Sequence, residues 1–108
     1  MNDKITTSRQ RALDRAALPI AREKVRAARA EYDRAARALQ VATEAARRYA
    51  SVAQRTGDSN AIAEAGRAAS EAKEAKARAE AARHALNAAM EEMYALEWRI
   101  RQARGIGA

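Results

Sequence analysis

Two rows of uncharged residues recur every seven positions along most of the chain, and they constrain the fold more than any other feature. Rows with this spacing share one side of an α-helix and form the buried seam of a coiled coil. In the first half the rows are Leu18, Val25, Tyr32, Leu39, Ala46 and Ala53, and Ala21, Ala28, Ala35, Ala42 and Tyr49. In the second half they are Ala65, Ala72, Ala79, Leu86, Met93 and Ile100, and Ala61, Ala68, Ala75, Ala82, Ala89, Leu96 and Ala103.

One short break, at residues 56–60, separates the two halves. Gly57 suits the left-handed position just beyond a helix, and Asp58, Ser59 or Asn60 can cap the helix that follows. The sequence therefore predicts an all-α fold, a long antiparallel two-helix hairpin over 19–104. Its helices are expected at 19–55 and 60–104, with the turn at 56–59.

The two halves also predict a register. If the chain folds back at Gly57 so that facing residue numbers sum to 114, Leu39 meets Ala75 and Ala28 meets Leu86. Nearly every large seam residue then faces an alanine, which allows close packing of large against small side chains. Outside the seam, this register lets Lys24 reach Glu92 and Arg15 reach Glu97, and it brings Arg29 near Arg83.

Alanine content explains why a hairpin is expected rather than a thick globular core. Alanine supplies 32 of the 108 residues, and charged residues supply 32%. Alanine favours the helix strongly but buries little apolar area. This composition is typical of long helices and coiled coils.

The ends of the chain are predicted to differ from the hairpin. Pro19 removes an amide donor inside a helix but is favoured in the first turn of a new one. We therefore expect residues 1–18 to form a short or kinked helical segment before the hairpin. Gly105 and Gly107 are expected to end the second helix and to leave residues 105–108 as a tail.

Positive charge is concentrated in the first half. Residues 1–57 carry 13 Lys and Arg against 6 Asp and Glu, whereas residues 58–108 carry 8 of each. In the predicted register many of these cations share one side of the hairpin, which indicates an acidic or polyanionic partner. The alternative is an ordinary solvated, salt-bridged surface. The candidate partner- or polyanion-binding residues are Arg15, Arg22, Arg26, Arg29, Arg83 and Arg101.

A second apolar stripe lies on the opposite side of the first helix, and a two-helix hairpin cannot bury it. Its large members are Leu13, Ile20, Val41 and Val52. We expect this face to mediate association of two hairpins into a four-helix bundle. Alternatively, residues 1–17 could fold back and cover part of it.

An aromatic anchor is predicted near the end of the second helix, where Met90, Tyr94 and Trp98 recur every four residues on its outer side. Trp, Tyr and Arg dominate binding hot spots in protein interfaces, and aromatic side chains also stack on nucleobases. The alternative is that these residues pack against the N-terminal segment through Ile5 or Leu13.

Catalytic chemistry is not expected. The chain lacks cysteine, and its one histidine, His84, has no partners with the spacing of a metal site or catalytic pair. The sequence shows no signal-peptide core or membrane-length apolar run. The expected function is that of a small cytoplasmic adaptor or regulator. The Ala- and Arg-rich bias is typical of GC-rich bacterial or phage genomes, so we expect the protein to be encoded by a phage or a plasmid. It would bind a protein, or alternatively DNA or RNA, with no cofactor, metal, membrane or small-molecule substrate.

Overall fold

Two long helices form the fold. The computed structural model describes the backbone of residues 3–107 and the side chains of residues 8–104. Helix α1 runs over Asp3–Thr56 and helix α2 over Ser59–Gly107, and the two pack as a hairpin without any strand in the described range. The predicted all-α hairpin is confirmed. Helices of this length are stabilised mainly by packing along their apolar side rather than by local propensity.

The turn forms at Gly57 as predicted, but it comprises only residues 57 and 58 instead of 56–59, because α1 extends through Thr56 and α2 begins at Ser59. Gly57 has a φ of +64°, in the left-handed region, and its amide donates to the Ala53 carbonyl at 2.9 Å. The Asp58 carboxylate accepts the Ala61 amide at 3.2 Å and thereby caps α2. The Thr56 hydroxyl donates to the Val52 carbonyl at 2.9 Å and accepts from the Asp58 amide at 3.3 Å. These contacts satisfy backbone groups that both helix ends would otherwise leave unpaired.

The chain is organised in two compact units. The terminal unit comprises Met1–Arg29 and Ala85–Ala108, and the turn unit comprises Ala30–His84. Every buried apolar residue described belongs to a predicted seam row. In the terminal unit these residues are Ala21, Leu86 and Leu96, and in the turn unit they are Ala68, Ala75 and Ala79. The other seam residues are buried or half-buried, whereas the side chain of Tyr49 is 43% exposed.

The predicted helix ends need correction at both termini. Helix α1 contains Pro19 and begins at Asp3, so no separate helix ends before Pro19. The ring of Pro19 is exposed, while Asp14 and Ala21 on either side of it are buried in the seam. Packing on both sides can offset the two defects that proline causes in a helix, which are the loss of one backbone hydrogen bond and a clash of its ring with the carbonyl one turn back. A kink at Pro19 stays a prediction.

Helix α2 likewise continues past the expected end at residue 104 and reaches Gly107. A glycine inside a helix costs only about 1 kcal/mol relative to alanine, and no proline follows to stop it. The predicted tail at 105–108 is therefore wrong for residues 105–107.

Candidate partner-binding surface

The terminal unit carries most of the net charge of the protein. It contains 11 Lys and Arg against 6 Asp and Glu, whereas the turn unit contains 10 against 8. The difference gives the terminal unit an excess of +5 out of the total of +7. Long-range attraction of an anionic partner would therefore act mainly on the terminal unit.

An ion pair between buried Asp14 and half-exposed Arg99 joins the two helices of the terminal unit. The Asp14 carboxylate, only 6% exposed, accepts hydrogen bonds from Arg99 Nε and Nη2, both at 3.3 Å, and from the Gln10 side chain at 2.9 Å. The Arg99 hydrogen bond lowers the pKa of Asp14 below its ordinary value despite the opposing effect of burial, and the Gln10 hydrogen bond acts in the same direction. Asp14 is thus held as a carboxylate inside the seam.

Sequence reasoning missed this ion pair, although a signal was present. The row that contains Ala21 and Ala28 reaches Asp14 when it is extended back by one heptad, and the row of Leu18 reaches Arg11 in the same way. Stopping both rows at Pro19 hid these polar seam positions. Arg11 is half-buried, and its Nε has no hydrogen-bond partner.

Among the side chains that the structure describes, two grooves border the contact between the helices of the terminal unit. One, the Trp98 groove, has a volume of about 200 Å³, and its lining residues are Gln10, Arg11, Asp14, Trp98, Arg99, Gln102 and Ala103. The other, the basic groove, has a volume of about 270 Å³, and its lining residues are Leu18, Arg22, Glu97, Ile100, Arg101 and Arg104. Trp98 and Arg101, one helical turn apart on α2, therefore belong to different grooves.

The structure brings two of the six predicted basic residues into one site, since Arg22 and Arg101 both line the basic groove. Arg15, Arg26, Arg29 and Arg83 are exposed outside its lining. Arg83 lies in the turn unit and the other five lie in the terminal unit. Arg104, the last residue of the predicted second helix, also lines the basic groove and was not among the predicted basic residues.

Several of these cations have nearby partners. Arg26 pairs with Glu23 at 3.1 Å, and the guanidinium of Arg29 reaches the Met90 sulfur at 4.0 Å. The predicted pair of Lys24 with Glu92 is present at 3.8 Å. Glu97, by contrast, lies 3.8 Å from Arg22 instead of pairing with Arg15. Long, exposed side chains sample several positions around a helix, so heptad spacing does not determine which arginine approaches a given glutamate.

The predicted aromatic anchor is exposed. Tyr94 is 53% and Trp98 59% accessible to solvent, whereas Met90 is half-buried beside Arg29. The alternative prediction is that the N-terminal segment covers these residues through Ile5 or Leu13. Leu13 is itself exposed and does not cover the rings of Tyr94 and Trp98, and the side chain of Ile5 lies outside the described residues. Within the described side chains, α2 therefore presents two large aromatic surfaces to solvent.

All four residues of the predicted association face are exposed as well. Leu13 and Ile20, each 62% accessible, lie in the terminal unit, and Val41 and Val52 lie in the turn unit. Leu13, Ile20 and Val41 are separated by whole heptads, whereas Val52 follows Val41 by eleven residues. The same residues would be favoured at an interface.

The described part of the chain offers no group of three or more Asp, Glu, His or Cys side chains that could hold a metal ion. Neither α1 nor α2, over the described residues, contains an apolar stretch long enough to cross a bilayer. Comparison of the sequence and structure with protein-family models, curated proteins and solved structures finds no match.

Proposed function

We propose that the protein is a non-enzymatic adaptor or regulator that docks its helical hairpin onto a partner protein through the terminal unit. The exposure of Tyr94 and Trp98 on consecutive turns of α2 carries this proposal. Large aromatic side chains bury much area with little loss of side-chain entropy, so they commonly dominate the affinity of protein interfaces. Arg99, which lines the same groove as Trp98, adds a charged group of the type that accompanies such anchors.

A matched pair of double variants tests this proposal. We expect Tyr94→Ala with Trp98→Ala to reduce capture of the partner from a host lysate at least about tenfold, because each aromatic hot spot contributes roughly 2 kcal/mol or more. Tyr49→Ala with Ile62→Ala is the control, since it removes two exposed apolar side chains from the turn unit. Equal capture by the wild type and both variants would contradict the proposal.

Nucleic-acid binding is the second candidate, and the +5 excess of the terminal unit favours it. Phosphate contacts release counterions, so such binding weakens steeply as salt is raised. Nuclease treatment of the lysate separates the two candidates in the same experiment. If nuclease treatment abolishes capture, the partner is DNA or RNA and not a protein.

Self-association through α1 is a further part of the proposed function. Leu13, Ile20 and Val41 are separated by whole heptads, and all three are exposed. A second hairpin laid along this face would bury them in a four-helix bundle. Alanine-rich hairpins gain stability from such burial because their own seam removes little apolar area from water.

We expect Ile20→Glu with Val41→Glu to convert a dimer into a less stable monomer, because the new carboxylates would lose hydration at the interface. Sedimentation at several protein concentrations measures the change. The control is Arg37→Gln with Arg47→Gln, which lowers the net charge by the same two units at exposed positions of α1 outside the heptad position of Ile20 and Val41. A wild type that sediments as a monomer at high micromolar concentration would refute this part of the proposal.

A further inference from the structure

We infer that the basic groove of the terminal unit is a docking site for an acidic segment of a partner protein, one in which aliphatic residues are flanked by carboxylates. This inference rests on the proposed function and specifies the chemistry of the partner. The groove is distinct from the exposed faces of Tyr94 and Trp98, because neither side chain lines it.

The charges in the groove favour an anionic ligand. Three of its six lining residues are arginines, and Glu97 is the single acidic one. Glu97 approaches Arg22 at 3.8 Å, with both side chains substantially accessible, so the pair is weak and screened by water. Arg101 and Arg104 are exposed and have no ion-pair partner within 4 Å among the described residues. Two guanidinium groups therefore remain for carboxylates, to which arginine can donate two parallel hydrogen bonds.

The floor of the groove is aliphatic. Leu18 and Ile100 are seam residues, but they are only half-buried, whereas Leu86 and Leu96 in the same unit are buried. An aliphatic side chain from a partner would cover the accessible remainder of Leu18 and Ile100 and remove that area from water. A ligand that fits must consequently combine apolar and anionic groups within a short distance.

The size and lining of the groove favour a protein segment over a nucleic acid. A volume of about 270 Å³ is slightly below the usual range for ligand pockets, roughly 300–1,000 Å³, and suits a few side chains. Single-stranded nucleic acids are usually held by aromatic side chains on which their bases stack. The groove contains none, because Trp98 lines the other groove.

Short helical peptides test the inference directly. The probe is a labelled synthetic peptide in which glutamates flank two leucines on one helical face. One comparison peptide has alanines in place of the leucines, and another has glutamines in place of the glutamates. We expect the wild type to bind the probe at least about tenfold more tightly than either comparison peptide, since both kinds of contact are needed.

Two charge-matched variants locate the binding. Arg101→Glu with Arg104→Glu should weaken probe binding at least about tenfold, whereas Arg37→Glu with Arg67→Glu should change it by less than about threefold. Both variants have the same net charge, and Arg37 and Arg67 are exposed residues of the turn unit. Circular dichroism verifies that both variants are as helical as the wild type, so that a loss of binding is not a loss of fold.

Three results would overturn the inference: no binding of the probe, equal weakening by both charge variants, or tighter binding of a single-stranded oligonucleotide at the same groove. The variant with Tyr94→Ala and Trp98→Ala separates the inference from the proposed function. It should retain probe binding, because the groove is intact, while it loses capture of the partner. The opposite combination would contradict only the proposed function. In that case Arg101→Glu with Arg104→Glu loses probe binding, while Tyr94→Ala with Trp98→Ala still captures the partner as the wild type does.

Discussion

Replacing Leu96 by alanine is expected to lower the free energy of unfolding by about 2–5 kcal/mol, the usual range for a leucine lost from a packed core. Leu96 is 5% exposed, and among the described residues 8–104 it is one of two buried leucines. In the predicted register Leu96 faces Leu18, and its nearest seam neighbours on α2 are Met93 and Ile100, so the substitution would leave a cavity among large side chains. Since small domains are commonly stable by only about 5–15 kcal/mol, the change would remove a large part of the total.

Urea unfolding followed by circular dichroism measures this effect. The measurement should be made at two protein concentrations, because self-association would add to the apparent stability. Leu13→Ala is the matched control, since it removes the same atoms from an exposed position of the terminal unit. At low concentration we expect the control to change stability by about 0.5 kcal/mol or less. Similar losses for both variants would show that Leu96 is not part of the core.

Asp14→Asn is expected to lower stability by roughly 1–3 kcal/mol at neutral pH, in the range observed for hydrogen bonds to charged groups. The variant keeps the shape of the side chain but removes the charge that accepts two hydrogen bonds from Arg99. Arg99 is about half exposed, so water compensates part of the loss, and the cost should stay below that of a fully buried unpaired arginine.

The pH dependence of this difference follows from the lowered pKa of Asp14. Because the folded state binds the proton less tightly than the unfolded state, the carboxylate contributes its full stability above the unfolded-state pKa, close to 3.8. The contribution is lost as the pH falls through the folded-state pKa. We therefore expect the difference in free energy of unfolding between wild type and Asp14→Asn to be constant over about pH 6–8. It should shrink below about pH 4.

Unfolding curves of both proteins across this range provide the measurement. Arg99→Gln should reproduce much of the Asp14→Asn loss, because it removes the opposite partner of the same ion pair. A difference that grows as the solution becomes more acidic would contradict the assigned role of the carboxylate.

The parts of the structure that follow from helical periodicity could be read from the sequence. Alternation of Leu39, Leu86 and Leu96 with alanines identifies the seam, and Gly57 identifies the turn, because both depend on spacing and backbone conformation alone. In the predicted register Asp14 would face position 100 and Lys24 position 90. Their partners in the structure are Arg99 and Glu92, one and two positions away.

The rest depends on side-chain contacts that no local pattern determines. The sequence predicts that a new helix begins at Pro19, but α1 continues through it. Packing of the buried residues Asp14 and Ala21 on either side can offset the helix destabilisation that proline causes. Only part of the basic groove is predicted from the sequence. Arg22 and Arg101 are among the candidate binding residues, whereas Arg104 and the aliphatic floor are not. A groove forms where residues of two helices lie at the same level along the hairpin. The heptad spacing within each helix does not determine which residues of the other helix lie at that level.

The 85 residues that separate Asp14 from Arg99 have a consequence for the order in which the hairpin forms. Contacts beside Gly57 close short loops, whereas the Asp14–Arg99 contact closes a long one, and the entropic cost rises by about 0.6 kcal/mol for each doubling of loop length. We therefore expect pairing of the helices to begin at the turn and to reach the terminal unit last. A partner that binds across both helices of the terminal unit would then bind only hairpins whose terminal unit is closed. Its measured affinity would be lowered in proportion to the fraction of hairpins in that state.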